Sequence, residues 1–503
     1  MAEVTMQSNC KSEDETIGNI KWFPINKGGE YRKWYGNNEY VVNFQNKGKE
    51  LCDYIDRTSK VNHTGRVINR HRYFKENGTW SAITSGSLSV RYSPEGYIIS
   101  NAGMAIYSDD ILLYVIALLN SKITTAKLIK MVNESINFNA GDIVSIPTII
   151  NENIKGTVEK LTRELISLEK IDWDSHETSW DFKKHILLPD IYGKNEYLTE
   201  LYKKRENEAK IRFNQVKSNE EQLNTMFNDT YGVNEISPEV DNSEVTMEIP
   251  NFERDIRSLL SYAVGCMFGR YSIDNEGLIY AGGEWIESKN DSFVPDTDNV
   301  IPITDEEYFE DDIVGKLCEW LKIVYGNDTL EDNLNCISEA LGNKGSSSRE
   351  VIRNYFIKDF ITDHIKMYQK RPIYWLFDAG KENGFKALIY MHRYSQDTVG
   401  IVRTDYLHKT QKMIEQAMQR AEYTSENATS AADKKKAVQQ ITKYTKQLAQ
   451  MKSYDEAMAH IANQRIEIDL DDGVKVNYQK FQGVEVAQEG KKALKIDLLA
   501  KIK

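Results

Sequence analysis

Residues 21–44, KWFPINKGGEYRKWYGNNEYVVNF, combine aromatic, basic and turn-forming side chains in one run. The paired glycines and asparagines mark turns, and EYVVNF at the end of the run alternates as a strand does. Residues 57–75, RTSKVNHTGRVINRHRYFK, follow without one acidic side chain, although the whole chain has a net charge of −12. This local contrast indicates a surface for polyanions, whereas the plainer alternative is a solvated loop over a small aromatic core.

The distribution of charge supports the first interpretation. Residues 21–91 contain thirteen Lys and Arg against six Asp and Glu, a local charge of +7, which leaves −19 for the rest of the chain. The chain is therefore electrostatically divided. An acidic remainder would repel nucleic acid from other surfaces, or present a face to a basic partner.

Short alternating apolar runs continue from this stretch to about residue 150 and predict strands, among them SLSVRY and GYIIS. One helix, ILLYVIALLNSK at 111–122, interrupts them, and a second helical stretch leads to INFNAGDIVSIPTI at 136–149, where we expect a short strand. We predict a tail over 1–20 and a mixed α/β domain over 21–150.

The remaining 353 residues change character several times. Paired Glu and Lys predict a helical spacer with coiled-coil-like helices at 151–231, and low hydrophobicity predicts a linker at 232–249. The later parts are an α+β domain at 250–402, a helical hairpin at 403–465 expected to pack on the spacer, and strands with a tail at 466–503. Within them, TDEE at 304–307 is expected to cap a helix and DDG at 471–473 to turn between strands. The predicted class is multi-domain α+β.

Composition limits the classes of protein. The longest apolar run, residues 111–119, is too short to cross a bilayer, and the first residues lack the pattern of a secretory signal, so we expect a cytoplasmic protein without a membrane segment. The five cysteines are scattered without a C-x-x-C pair, which argues against a zinc cluster and a disulfide scaffold. We assign no metal ligand.

Seven words of the sequence resemble one family in their order along the chain. They are KWFPINKGGEYRKWYGNNEYVVNF, SLLSYAVGCMFGRYS, PITDEEYFEDDIVG, SSREVIRNYF, KRPIYWLFDAGKENGFKALIYMHRY, VRTDYLH and IDLDDGVKVNY. Together they are similar to the C-terminal half of the PglX family, adenine-specific DNA methyltransferases of BREX-type phage-defence systems. The LLNSK helix followed by IPTI also resembles target-recognition domains of type I specificity subunits and of fused type IIG restriction-modification enzymes.

The resemblance implies the DNA sequence-recognition portion of such a methyltransferase, with double-stranded DNA and a catalytic half or other BREX proteins as partners. The nine prolines are never adjacent and no Gly-x-Gly occurs, so the chain has neither an N-P-P-Y-like motif nor a cofactor turn. We therefore name no catalytic or cofactor-binding residue. S-adenosylmethionine is expected in the missing half, and activity of this chain alone is uncertain. The alternative function is a scaffold subunit that binds other proteins of the defence complex.

The candidate DNA contacts lie in the first domain. Arginines suit guanine edges and asparagines suit adenine edges, while other cations would meet phosphates and aromatic rings could stack. The base-reading candidates are Arg66, Arg70, Arg72, Arg91, Asn37 and Asn38. The phosphate and stacking candidates are Lys27, Arg32, Lys33, Arg57, Lys60, Lys75, Trp34 and Tyr35. A second basic and aromatic set, which is equally compatible with helix solvation over an aromatic core, comprises Arg349, Arg353, Lys370, Arg371, Tyr374 and Trp375.

Overall fold

The computed structural model describes residues 9–60, 67–84, 86–132, 135, 137–283, 285, 290–488 and 491–502. These residues form two compact units. The amino-terminal unit contains the described residues up to Phe182 together with Lys204–Pro250, and the carboxy-terminal unit contains Lys183–Lys203 and the described residues from Asn251 onward. Both helices and small sheets are present, so the predicted multi-domain α+β class is confirmed.

Two three-stranded sheets lie in the amino-terminal unit. Its strands are β1 Trp22–Asn26, β2 Val41–Asn43, β3 Asn77–Ser81, β4 Arg91–Ser93, β5 Ile98–Ile99 and β6 Gly103–Ile106. The first sheet has the order β2-β1-β5, with β1 antiparallel to β2 and parallel to β5. The second is antiparallel in the order β4-β3-β6. Strands β2, β4 and β5 fall in or beside the alternating runs that predicted them.

The amino-terminal unit also contains helices, the last of which begins within the segment Lys183–Lys203 of the other unit. They are α1 Gln45–Thr58, α2 Leu112–Asn120, α3 Ala140–Val144, α4 Glu152–Asp174 and α5 Leu198–Tyr231. The strand predicted within 136–149 is wrong, because α3 occupies its centre and Asp142 accepts a hydrogen bond from the Asn139 N–H at 3.1 Å, as in a capping box. Among the described residues, no single helix is long and apolar enough to span a bilayer. Helix α2 and the segment Thr124–Met131 reach that length and apolarity only together, and a 68° bend separates them.

The amino-terminal unit has a large core and a smaller one. Trp80 and Ile116 belong to the large core, to which α4 and α5 also contribute side chains, whereas the smaller core centres on Phe23 against α1. Val240 and Met247 of the segment 232–249 are buried in the large core, so this segment packs on the unit. The division into domains itself stays a prediction.

The carboxy-terminal unit is mainly helical. Its helices are α6 Phe252–Met267, α7 Ile313–Tyr325, α8 Leu330–Ala340, α9 Ser348–Lys358, α10 Phe360–Met367, α11 Thr398–Ile401, α12 His408–Asn427, α13 Ala431–Gln464 and α14 Val474–Gln479. Its strands are β7 Ile301–Pro302, β8 Tyr374–Asp378, β9 Lys386–Tyr390, β10 Val484–Gln488 and β11 Lys491–Ile496. One antiparallel sheet has the order β7-β9-β8, and β10 pairs with β11.

Helices α12 and α13 form the predicted hairpin, and its expected packing on the helical spacer stays a prediction. The buried side chains of α13, including Met451 and Tyr454, lie in the core of the carboxy-terminal unit with Trp375 and Phe377 of β8. The apolar stripe of the hairpin is therefore used within its own unit.

Two local predictions for this unit are also wrong. Helix α7 begins at Ile313 with Asp312 as its N-cap, so TDEE at 304–307 does not cap it. DDG at 471–473 leads from a 3-10 turn into α14 instead of joining two strands. In both places an acidic side chain accepts a nearby backbone N–H, Asp312 from Val314 and Asp469 from Asp471, and thereby starts a helical turn.

Candidate nucleic-acid interface

The loop between β1 and β2 carries many of the residues predicted to contact DNA, and the structure docks it on helices of the same unit. Arg32 Nη2 lies 2.6 Å from Asp172 Oδ2 and 3.3 Å from Glu169 Oε2, both on α4. The Arg32 guanidinium also lies over the Trp173 ring at 5.1 Å. Gly36, with φ +120°, permits this approach, because a Cβ there would stand 2.8 Å from the Trp173 ring.

Lys33 and Trp34 attach the loop to α5 through one carboxylate. Lys33 Nζ lies 2.8 Å from Glu220 Oε2, and Trp34 Nε1 donates to Glu220 Oε1 at 2.7 Å. The three residues are 7%, 1% and 3% exposed, respectively. Burial alone would lower the pKa of Lys33, but the charge of Glu220 and the hydrogen bond to it raise that pKa above its usual value. Lys33 is thus a buried, charged partner of α5.

Arg91 of β4 is also interior, with 1% of its surface exposed. Its Nη1 donates to the Arg32 carbonyl oxygen at 3.4 Å, and burial, followed by the charge of Arg32, lowers the pKa of Arg91 to about 10. Tyr35 and Asn38 are 5% and 6% exposed. Asn37 has a positive φ of 60°, and its Nδ2 donates to the Glu30 carbonyl oxygen at 2.9 Å, so it shapes the loop.

The structure therefore corrects the assignment of several side chains as DNA contacts. Each is buried, or nearly so, and contacts other parts of the unit, so it presents little or no surface to a duplex. The corrected residues are Arg32, Lys33, Trp34, Tyr35, Asn38 and Arg91.

Five other predicted cations lie on the surface of the amino-terminal unit. Two of them rest on aromatic rings: Lys27 Nζ lies 4.8 Å from the Tyr40 ring centroid and the Arg72 guanidinium 5.2 Å from that of Tyr107. Neighbouring rings hold such side chains while their charges stay in solvent. The exposed set is Lys27, Arg57, Lys60, Arg72 and Lys75.

Two further candidates have different positions. Arg70 is half-buried, with Nε 2.5 Å from Glu13 Oε1 and its Nη2 donating to the Lys47 carbonyl oxygen at 2.7 Å. Its guanidinium lies 5.4 Å from the Phe44 ring centroid. Arg70 therefore contacts α1 and the residues around it, and only part of its side chain faces solvent. Arg66 lies outside the described residues.

Four of the exposed cations come from the acid-free segment 57–75: Arg57, Lys60, Arg72 and Lys75. Within the described part of the chain none of them forms an ion pair with a carboxylate, although Arg57 Nε donates to the Asp53 carbonyl oxygen at 3.1 Å. Unpaired surface cations are available to neutralise phosphates. We call these four side chains the 57–75 cation set.

Four members of the second basic and aromatic set, predicted in the carboxy-terminal unit, are also corrected, whereas Lys370 is exposed and Arg371 partly exposed. Tyr374 and Trp375 are fully buried in β8. Arg353 forms a two-point ion pair with the buried Asp312, and Arg349 pairs with Glu331 at 2.6 Å. These side chains hold helices together and do not form an open basic face.

Sequence reasoning missed the two buried acidic side chains that anchor the loop. Glu169 and Glu220 belong to helices whose Glu and Lys pattern predicted solvent-facing pairs, yet they are 0% and 3% exposed. Thr246 completes the arrangement, since its Oγ1 donates to Glu169 Oε1 at 2.9 Å. No local signal distinguishes these acids from their exposed neighbours.

Glu169 makes the stability of this unit depend on pH. Burial raises its pKa from 4.5 to about 8, although Arg32 acts in the opposite direction. The folded state therefore binds a proton that the unfolded state releases, and the free energy of unfolding falls as pH rises from 4.5 to about 8. The loss from this one group is up to about 1.4 kcal/mol for each pH unit. We expect Glu169→Gln to remove this part of the pH dependence in urea unfolding at pH 5.5, 7 and 8.5.

The matched control is Glu164→Gln on the same helix, where the side chain is partly exposed. It should leave the pH profile of the wild-type chain unchanged. Identical profiles for the Glu169→Gln variant and the wild type would show that Glu169 does not take up a proton on folding.

No family model matches the chain. The "Adenine-specific methyltransferase PglX" of Lacticaseibacillus casei (strain Zhang) is 42% identical over 474 residues, which are 92% of this chain and 39% of that relative. This chain is homologous to part of PglX. The "Adenine-specific methyltransferase BrxX" of Escherichia coli O9:H4 (strain HS) is 35% identical over 499 residues, with 92% of this chain and 40% of the relative covered.

These similarities support the relationship to PglX that the sequence indicated, whereas the assignment to its C-terminal half and to a target-recognition domain stays a prediction. The chain spans about two fifths of the length of these curated relatives. The adenine-specific methyltransferase activity in these names belongs to the whole PglX and BrxX proteins. Which part of such an activity this chain performs is a matter for proposal.

Proposed function

We propose that this chain is the DNA sequence-recognition portion of an adenine-specific DNA methyltransferase used in BREX-type phage defence. The observation that carries the proposal is the 57–75 cation set, four exposed cations of an acidic chain that have no carboxylate partner among the described residues. Homology to PglX and BrxX supplies a reason for a DNA partner. Phosphate contacts position such a protein, and base contacts then specify the sequence.

Four arginines are predicted to read guanine, and of those that the structure describes only Arg72 is exposed. Its position over the Tyr107 ring restricts the guanidinium, which favours a directed contact over a mobile one. We therefore propose Arg72 as a base-reading candidate and Arg57, Lys60, Lys75 and Lys27 as phosphate contacts. A good contact between an arginine and guanine contributes about 1–3 kcal/mol of discrimination.

Methyl transfer itself is proposed for the portion of the relatives that this chain does not match. The sequence has no adjacent prolines and no Gly-x-Gly turn, so we assign neither S-adenosylmethionine nor the reacting adenine to residues of this chain. The partners we propose are double-stranded DNA and the catalytic portion or other proteins of the defence system.

The test is binding of fluorescent duplexes between about 50 and 200 mM salt. The variant R57Q/K60Q/R72Q/K75Q removes four charges from the 57–75 cation set. Three of these residues are the proposed phosphate contacts Arg57, Lys60 and Lys75, and each lost phosphate contact reduces the steepness of log Kobs against log salt by about 0.9. The slope should therefore become shallower by roughly 3, and the affinity at low salt should fall at least tenfold.

The matched control is K160Q/R163Q/K204Q/K210Q, which removes four exposed cations from α4 and α5. It should bind DNA as the wild type does. Binding that is absent, or insensitive to salt, would reject DNA recognition by this chain and would favour the alternative of a protein-interaction subunit.

A further inference from the structure

The hairpin helix α13 contains a second acid-free basic stretch. Residues 434–454, KKKAVQQITKYTKQLAQMKSY, include six lysines and no Asp or Glu. This stretch lies in the carboxy-terminal unit, so it is distinct in the fold from the 57–75 cation set. Neither the aromatic core nor the ion pairs described above explain it.

The structure separates the two faces of this helix. Tyr444, Met451 and Tyr454 are buried in the core of the unit. With 100° of rotation per residue, Lys435 and Lys446 lie three turns apart on the opposite face, and both are exposed. Exposed Gln439 and Thr442 lie between them and can donate further hydrogen bonds. We call this the outer face of α13.

Exposed Lys436 flanks this face, 100° round the helix from Lys435, and most lysines of the stretch are free of acidic partners. Lys443 pairs with Asp305, and Lys434 donates to the Glu426 carbonyl oxygen. Within the described residues Lys435, Lys436 and Lys446 form no ion pair.

Helix stability does not account for this placement. Three consecutive lysines, 434–436, follow directly on the first turn of α13, near the end of the helix where the dipole favours acidic over basic side chains. Acidic residues stabilise that position, and Asp433 is the one acid of the first turn. The helix dipole therefore gives no reason for lysines at this place, whereas binding of a polyanion gives one.

We propose that the outer face of α13 binds the phosphate backbone of double-stranded DNA, as a second contact surface that does not read sequence. This inference rests on the proposed function, because that function supplies DNA as the polyanion. From Lys435 to Lys446 the helix rises about 16 Å. A duplex presents about five phosphates per strand over the same length.

An acidic protein fits the face less well. Protein interfaces depend on buried aromatic and large apolar anchors, and the outer face offers Lys, Gln, Thr and Ala, with Val438 as its large apolar side chain. Phosphate contacts need no such anchor. Charge complementarity therefore favours nucleic acid.

The test compares K435Q/K436Q/K446Q with the wild-type 503-residue chain on several 30-base-pair duplexes of unrelated sequence. The slope of log Kobs against log salt should fall by roughly 2 to 3, with at least tenfold weaker binding at low salt. The loss should be equal for every duplex, because phosphates carry no sequence information. The matched control is K322Q/K344Q/K358Q, three exposed lysines elsewhere in the same unit, which should bind as the wild type does.

The outcomes separate this inference from the proposed function. If the 57–75 variant loses DNA binding while the α13 variant retains wild-type affinity and slope, the inference about α13 fails and the proposed function stands. If the wild-type chain binds no duplex, both fail. Retained DNA binding with loss of binding to a polyglutamate peptide would assign the outer face to an acidic protein instead. Thermal unfolding should be unchanged in the variants, since exposed lysines contribute little to stability.

Discussion

Replacement of Glu220 by alanine is expected to lower the free energy of unfolding of the amino-terminal unit by about 3–5 kcal/mol. Its two carboxylate oxygens accept from Lys33 Nζ and Trp34 Nε1 at 2.8 and 2.7 Å, and all three side chains are nearly free of solvent. The variant leaves a buried ammonium group without its partner and a buried indole N–H without an acceptor. Urea unfolding followed by tryptophan fluorescence measures the loss.

A double-mutant cycle tests whether the charge pair causes this loss. Lys33→Met removes the buried charge, so the double variant Lys33→Met, Glu220→Ala should be more stable than Glu220→Ala alone. Glu206→Ala, on the same helix but partly exposed, is the matched control and should change stability by less than about 1 kcal/mol. Additive effects in the cycle would show that Lys33 and Glu220 do not stabilise each other.

The Glu220 variant also separates stability from DNA binding. Glu220 holds the loop on α5 and is 3% exposed, so it offers no surface to a duplex. At low temperature, where the variant remains folded, its affinity for DNA should match that of the wild type. The 57–75 variant should show the converse, with normal stability and weakened binding.

Much of the secondary structure could be predicted because its signals are local. The alternation in residues 39–44 predicted β2, and the apolar run at 111–122 predicted α2. In each case the spacing of the apolar side chains along the chain matches the face that the element buries in the core.

The exposure of the basic side chains could not be predicted in the same way. The partners of Arg32 and Lys33 lie 137, 140 and 187 positions further along the chain. A cation beside aromatic residues has the same local pattern whether it meets a phosphate or a distant buried carboxylate. The fold decides between them, and here it brings α4 and α5 to the loop.

The absence of acids is more informative than the density of cations. The run RKWY at 32–35 has Glu30 and Glu39 nearby and proved to be largely interior. Residues 57–75 and 434–454 contain no acid, and both stretches expose cations that lack a carboxylate partner in the described structure. Neutralisation of such a stretch requires acids from elsewhere, so its charges more often remain available.

In the carboxy-terminal unit, replacement of Asp312 by alanine should cost about 3–5 kcal/mol through the broken ion pair, with about 1 kcal/mol more from the lost helix cap. Arg353 Nη1 and Nη2 lie 2.6 and 2.7 Å from the two Asp312 oxygens, and the carboxylate is fully buried. Asp312 Oδ1 also accepts from the Val314 N–H at 3.0 Å at the start of α7. The variant loses all three interactions and leaves the Arg353 guanidinium largely buried without its carboxylate partner.

Three further variants assign this cost in thermal and urea unfolding. Asp312→Asn can still accept the Val314 N–H, so it should lose less stability than Asp312→Ala, and the difference should be near 1 kcal/mol. Arg353→Lys retains a charge but not the two-point geometry, and should be intermediate as well. Glu306→Ala, in the TDEE stretch, should be nearly neutral because this side chain is exposed and does not cap α7. A large loss of stability in Glu306→Ala together with a small loss in Asp312→Ala would show that TDEE, and not Asp312, caps α7.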